Sequence, residues 1–135
     1  MNIELTQKEF RRLLDIVYIG NWILNSTRTN DRFEDYDKLE EKIFGYCEQL
    51  DMPALIDKWH GHVLPSRAFE EGGIHEAIAD YEDAVFFDIL AEELARRDME
   101  VEHVNQDDYE ELATRIDDYM DEFEKHGVDN ITITS

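Results

Sequence analysis

Four stretches of this chain repeat their apolar residues every three or four positions, and that spacing commits most of it to helix. The first begins at Thr6, which with Glu9 forms a capping box: the hydroxyl accepts from the backbone N–H of residue 9 while Glu9 reaches back. Phe10, Leu13, Leu14, Val17, Gly20, Asn21 and Leu24 then share one face, and Ile16, Tyr18, Ile19, Trp22 and Ile23 fill most of the remaining circumference. Such a helix is buried on more than one side, and it should end in the Ser, Thr and Asn cluster between Ser26 and Asn30.

The second stretch starts near Asp31 and places Phe33, Tyr36, Leu39, Ile43, Tyr46, Cys47 and Leu50 at helical intervals. The third runs from Ile74 to Arg97, where Arg96 and Arg97 oppose the negative end of the helix dipole. The fourth runs from Asp107 to a capping Gly127, with Tyr109, Leu112, Ile116, Tyr119 and Phe123 as its stripe and an acidic opposite face. Between them, Pro53 marks a new start and Ala54–Trp59 reads as a short helix. Residues 60–73 read as a loop, and Asp98–Gln106 as an acidic connection. The two ends, Asn2-Ile-Glu-Leu-Thr and Asn130-Ile-Thr-Ile-Thr, alternate like strands, so they either pair as a small ribbon or fray. The expected fold is all-α, a compact bundle of four to five helices with that terminal two-stranded ribbon as an open element. At 135 residues, with only 6 Gly and 2 Pro, residues 1–135 are expected to form a single helical domain.

Charge narrows the partners. The formal net charge is −21, graded along the chain: −3 over residues 1–67, −7 over residues 68–97 and −11 over residues 98–135. Such a surface repels nucleic acid and anionic membranes and attracts basic ones. The largest basic cluster is Lys8, Arg11 and Arg12, too small for direct nucleic-acid binding. The apolar run Ile16–Leu24 is too short to span a bilayer. The first residues lack a secretory pattern and Cys47 stands alone, so a cytoplasmic location is expected, with neither a disulfide framework nor a cysteine zinc site.

Chemistry-bearing motifs are sparse. Nine acidic pairs fall at i, i+3, against about eight for random placement on helix-face spacing, so most carboxylates read as solvated faces. One pair differs by position. Asp88 and Glu92 continue the face of Ile74, Ile78, Tyr81 and Val85, where an unpaired carboxylate is costly. Either the helix turns toward another neighbour and the pair sits at a rim, or it forms an ion pair with Arg11, Arg12 or Arg96, or it joins Asn21 in a polar pocket. His60-Gly61-His62 resembles half a metal site, and Glu100 and His103 match Glu-x-x-His outside any expected helix. Cys47 reads as a core residue, and no cofactor motif is present.

Three functional readings follow. The first is a small cytoplasmic interaction or regulatory protein without catalytic activity, with a basic protein or a second copy of itself as partner. The second is a nucleic-acid mimic that inhibits a basic partner through Asp117, Asp118, Asp121 and Glu122 on the last helix. The third is a metal-dependent enzyme using Asp88 and Glu92 or the His60/His62 loop.

Overall fold

In a computed structural model, described over residues 1–134, the chain is mostly α-helical with a small antiparallel ribbon. It divides into two compact units, Met1–Ile78 and Ala79–Ser135.

The first unit opens with α1 (Gln7–Asn25), capped as its sequence requires. Thr6 Oγ1 accepts from the Glu9 N–H at 3.1 Å, and the Thr6 N–H donates to Glu9 Oε1 at 3.0 Å. Helix α2 (Glu34–Gly45) is shorter than the apolar spacing suggests, because residues 46–51 continue as turns. Pro53–Leu55 form a 3-10 turn that leads into β1 (Ile56–Trp59), paired antiparallel with β2 (His62–Pro65). A three-residue helix, α3 (Arg67–Phe69), and a wide π turn over Glu70–Ile74 then deliver the chain into α4 (His75–Val101). Gly73 makes that hand-over at φ 112°, a conformation that glycine alone adopts at little cost.

The ribbon is real, but its strands are internal. Residues 1–6 and 131–134 form no strand, while Ala54–Trp59, expected as helix, ends in β1. The physical reason lies at His60-Gly61. With φ of 48° and 80°, these two residues close a two-residue turn whose backbone twist matches that of paired strands. Ile56 then faces the core and Asp57, Trp59, His62 and Leu64 face solvent, as period-two geometry demands. Ser66 locks the base of the hairpin. Its Oγ donates to the Ala54 carbonyl at 2.6 Å and accepts from the Phe69 N–H at 3.2 Å.

The first unit's core gathers Phe10, Leu14, Tyr18, Phe44, Cys47, Ile56, Phe69, Ile74 and Ile78. Phe69 meets Phe44 and Tyr18 edge-on at 5.0 and 5.2 Å, and the Arg11 guanidinium covers its ring at 4.8 Å. Each fully buried side chain of this size contributes about 1.5–3 kcal/mol of transfer free energy. Cys47 is fully buried, and burial pushes its thiol above the usual range, so it is a packing residue.

The second unit comprises α4 from Ala79 onward and α5 (Tyr109–His126). Helix α4 runs to Val101, so Asp98–Val101, expected in a connection, are helical. Asp108 caps α5 by accepting from the Glu111 N–H at 3.1 Å, and Gly127 ends it at φ 55°, its N–H donating to the Phe123 carbonyl at 2.8 Å. The core here is thinner: Ala95, Met99 and Leu112 form a cluster flanked by Val104, Ile116 and Tyr119, and Ala91 and Phe123 are also buried, Phe123 meeting Phe87 at 5.4 Å and Tyr119 at 6.0 Å. Polar links along its edge supplement it. The Tyr119 hydroxyl donates to Asp98, and Arg115 joins Glu102 and Glu111.

Candidate functional site

Asn21 and Asn25 are the buried polar residues of α1, one helical turn apart. Buried amides need partners, because an unsatisfied donor or acceptor costs about 1–3 kcal/mol. Asn21 Nδ2 donates to Asp37 Oδ1 at 3.0 Å and to Glu40 Oε2 at 2.9 Å, both on α2. Its Oδ1 accepts from Asn25 Nδ2 at 2.6 Å. Asn25 in turn grips the backbone of Phe33, accepting from its N–H at 2.7 Å and donating to its carbonyl at 3.1 Å. This explains how α2 starts without a side-chain cap: Phe33, its N-cap residue, is held by an asparagine from the preceding helix.

Arg32 completes the network. It clamps Asp37 through Nε and Nη2 at 3.0 and 2.8 Å, and its Nη1 donates to the Asn25 carbonyl at 3.2 Å. That fork holds the Asp37 carboxyl below its usual range, whereas burial raises Glu40 despite the bond from Asn21. Glu40 makes one hydrogen bond among the described residues.

Two hollows flank the Asn21–Glu40 bond, since both residues line both. On one side is a polar pocket of about 240 Å³ walled by Tyr18, Trp22, Ser26 and Arg32. On the other is an apolar groove of about 140 Å³, lined by Ile16, Gly20, Leu24, Tyr36 and Leu39. A Cβ on Gly20 would meet nothing within 4 Å, so that glycine leaves the groove open rather than permitting a close helix approach. The groove's rim is unusually exposed for apolar residues: Ile16 68%, Leu39 51% and Tyr36 45%.

Behind the polar pocket, the Tyr18 hydroxyl lies 2.7 Å from His75 Nε2, and Trp22 meets the same imidazole edge-on at 4.9 Å. Burial first, then the charges of Glu70 and Glu40, push the Tyr18 phenol up to about 12. The phenol is thus disfavoured as an anion, and its hydrogen bond with His75 makes it a positioned wall rather than a nucleophile.

The residues singled out by sequence are divided between the two units. Asn21 belongs to the first unit, where its amide is fully used by Asp37, Glu40 and Asn25. Asp88 and Glu92 belong to the second: Asp88 is exposed, and Glu92 lies 3.3 Å from Arg96 one turn along α4. The face that Asp88 and Glu92 prolong is buried only at Ile74 and Ile78, inside the first unit. Beyond it, α4 buries a different stripe, Ala91, Ala95 and Met99. Asp117, Asp118 and Asp121 are exposed on α5, while Glu122 accepts from Asn130 and pairs with His126 at 2.8 Å.

At the hairpin, His60 packs edge-on against Trp59 and His62 Nδ1 lies 3.0 Å from Glu41, whose carboxylate also accepts from the Val63 N–H at 2.9 Å. Glu41 thereby docks the hairpin on α2. Among the described residues, no three His, Cys, Asp or Glu side chains converge in a way that could hold a metal ion. Glu40 and Arg32 drew no attention in the sequence, because helical spacing placed Glu40 among many similar acids. Its one distinguishing signal is Asn21, a buried amide that needs acceptors. No helix among the described residues is long and apolar enough to cross a membrane. No protein-family model matches the chain, and neither a curated protein nor a solved structure matches it.

Proposed function

We propose that this chain is a small cytoplasmic interaction protein, without catalytic activity of its own, that docks a basic amphipathic segment of a partner protein on the seam between α1 and α2. The observation that carries this reading is the apolar groove with its exposed rim of Ile16, Tyr36 and Leu39, set directly beside the carboxylate of Glu40. An exposed apolar strip of this kind favours burial by a partner. A helix presenting apolar residues at i, i+3 and i+4 fills such a groove, and the chain's net charge of −21 selects a basic one.

A second reading keeps its own observation. Residues 79–135 carry 4 basic against 19 acidic side chains, a net of −15, and Asp117, Asp118 and Asp121 stand exposed on one helix. That surface suits the mimic of a nucleic-acid backbone.

One experiment separates the two. A photo-crosslinking amino acid at Leu39 should yield a discrete partner adduct in cells. Gly20→Leu should abolish the adduct by filling the groove, while its removal of a mid-helix glycine favours α1. The adduct should survive neutralisation of Asp117, Asp118, Asp121 and Glu122. The opposite pattern, loss on neutralisation and indifference to Gly20→Leu, would replace the seam with the acidic face.

A further inference from the structure

We propose that the polar pocket accepts the ammonium group of a lysine side chain carried by the docked partner, an inference that rests on the α1–α2 seam being the docking surface. The pocket's charge balance points to a cation. Arg32 also lines the pocket and its charge is felt by Glu40, but its hydrogen bonds go to Asp37 and the Asn25 carbonyl, which leaves Glu40 as the wall carboxylate with no cation hydrogen-bonded to it among the described residues. Its single bond, from Asn21, leaves acceptor capacity for an incoming N–H donor. Glu70 adds to the negative field, since its charge acts on both Tyr18 and Glu40.

The remaining walls suit the same group. Trp22 and Tyr18 offer aromatic surface, with indole the strongest cation–π partner among side chains. Ser26 supplies a hydroxyl that accepts as well as donates. At about 240 Å³ the hollow falls below the range of roughly 300–1,000 Å³ that holds a drug-sized ligand, so one side chain is the better fit. Position decides the source. The pocket adjoins the apolar groove across the Asn21–Glu40 bond, so a segment seated in the groove carries a neighbouring lysine to the pocket mouth.

The test is an NMR titration of the intact protein at constant ionic strength, with n-butylammonium as probe and 1-butanol and acetate as controls. Butylammonium should shift the Trp22 indole N–H and the Ser26 amide saturably, with a Kd of about a millimolar for so small a probe. The exposed Trp59 indole on the hairpin should not move. Glu40→Gln keeps an acceptor for Asn21 but removes the charge, and should weaken binding about tenfold. Trp22→Leu should weaken it by several-fold.

A synthetic helical peptide with leucines at i and i+4 and one lysine should bind at least about tenfold tighter than butylammonium and lose that gain when lysine becomes norleucine. No saturable shift at Trp22, an unchanged Kd in Glu40→Gln, or a response to acetate instead would each overturn the ammonium assignment. Butylammonium binding without any gain from the peptide would identify a free-amine site and overturn the lysine. Loss of the pocket response with the Leu39 crosslink intact would remove this inference alone and leave the docking seam standing.

Discussion

The two units use opposite means to hold two helices together. In the first, α1 and α2 are joined by an amide network and contribute Phe10, Leu14, Tyr18 and Phe44 to a core of nine buried side chains completed by the turn, hairpin and α3–α4 segments, under a net charge of −6 from 9 basic and 15 acidic residues. In the second, α4 and α5 share a core cluster of three and carry −15 over residues 79–135. Burial dominates one unit. In the other, a thin core and edge ion pairs work against self-repulsion. The difference is that packing carries the first unit, while charge weighs more heavily in the second.

Core truncation should break the contrast most severely. Phe44→Ala removes a fully buried ring from the first unit and should cost about 3–5 kcal/mol. Met99→Ala in the second, also fully buried but set in a smaller cluster and losing a smaller side chain, should cost about 2 kcal/mol. Urea titrations of both variants, followed by near-UV circular dichroism, measure the difference. Equal losses would mean that the second core is as tight as the first.

The amide network comes next. Asn25→Ala strands the Phe33 N–H and the Asn21 side-chain Oδ1, and should cost about 1–3 kcal/mol. Denaturant midpoints report the loss, and the start of α2 should fray in amide NMR signals. A smaller effect than that of the exposed pair Arg67–Glu71 on mutation would show that the network is decorative.

Two carboxyls sharpen the contrast through pH with opposite signs. Burial raises Glu40, so the folded state takes up its proton more readily than the unfolded chain, and this group's contribution declines as pH rises from the ordinary carboxylate range through the raised value. Glu40→Gln should therefore stabilise the first unit at neutral pH by less than about 1 kcal/mol. The Tyr119 hydroxyl and then the Arg97 guanidinium hold Asp98 below the usual range against burial. Its contribution is present above the ordinary carboxylate pKa and is lost as pH falls through the depressed value. Asp98→Asn should destabilise the second unit by about 1 kcal/mol at neutral pH and have little effect in strong acid. Thermal melts at pH 7 and below pH 3 check both signs.

What the sequence made legible was local. The capping box at Thr6 and Glu9, the C-terminal glycine at 127 and the core position of Cys47 depend on spacings of a few residues, and each has the expected place in the structure. The hairpin was illegible because its turn signal is His-Gly, and only the left-handed φ of His60 reveals what that pair does. The stripe of α4 misled for a different reason. One continuous helix serves two units in succession, so its buried face changes at the boundary near Ile78, and a single wheel averages over both. The site was half legible. Asn21 stood out on an apolar face, but Asp37, Glu40 and Arg32 come to it only when α2 packs against α1, which no spacing along the chain encodes.

Native-state hydrogen exchange followed by NMR tests the central contrast most directly, by comparing the amides of Leu14 and Tyr18 on α1 with those of Ile116 and Tyr119 on α5. At 50 mM NaCl the α1 amides should be protected at least about a hundredfold more, corresponding to about 2.7 kcal/mol. Raising NaCl to 0.5 M should narrow the gap by slowing exchange in α5, because salt screens the repulsion that loosens it. Equal protection in the two helices, unchanged by salt, would contradict the account.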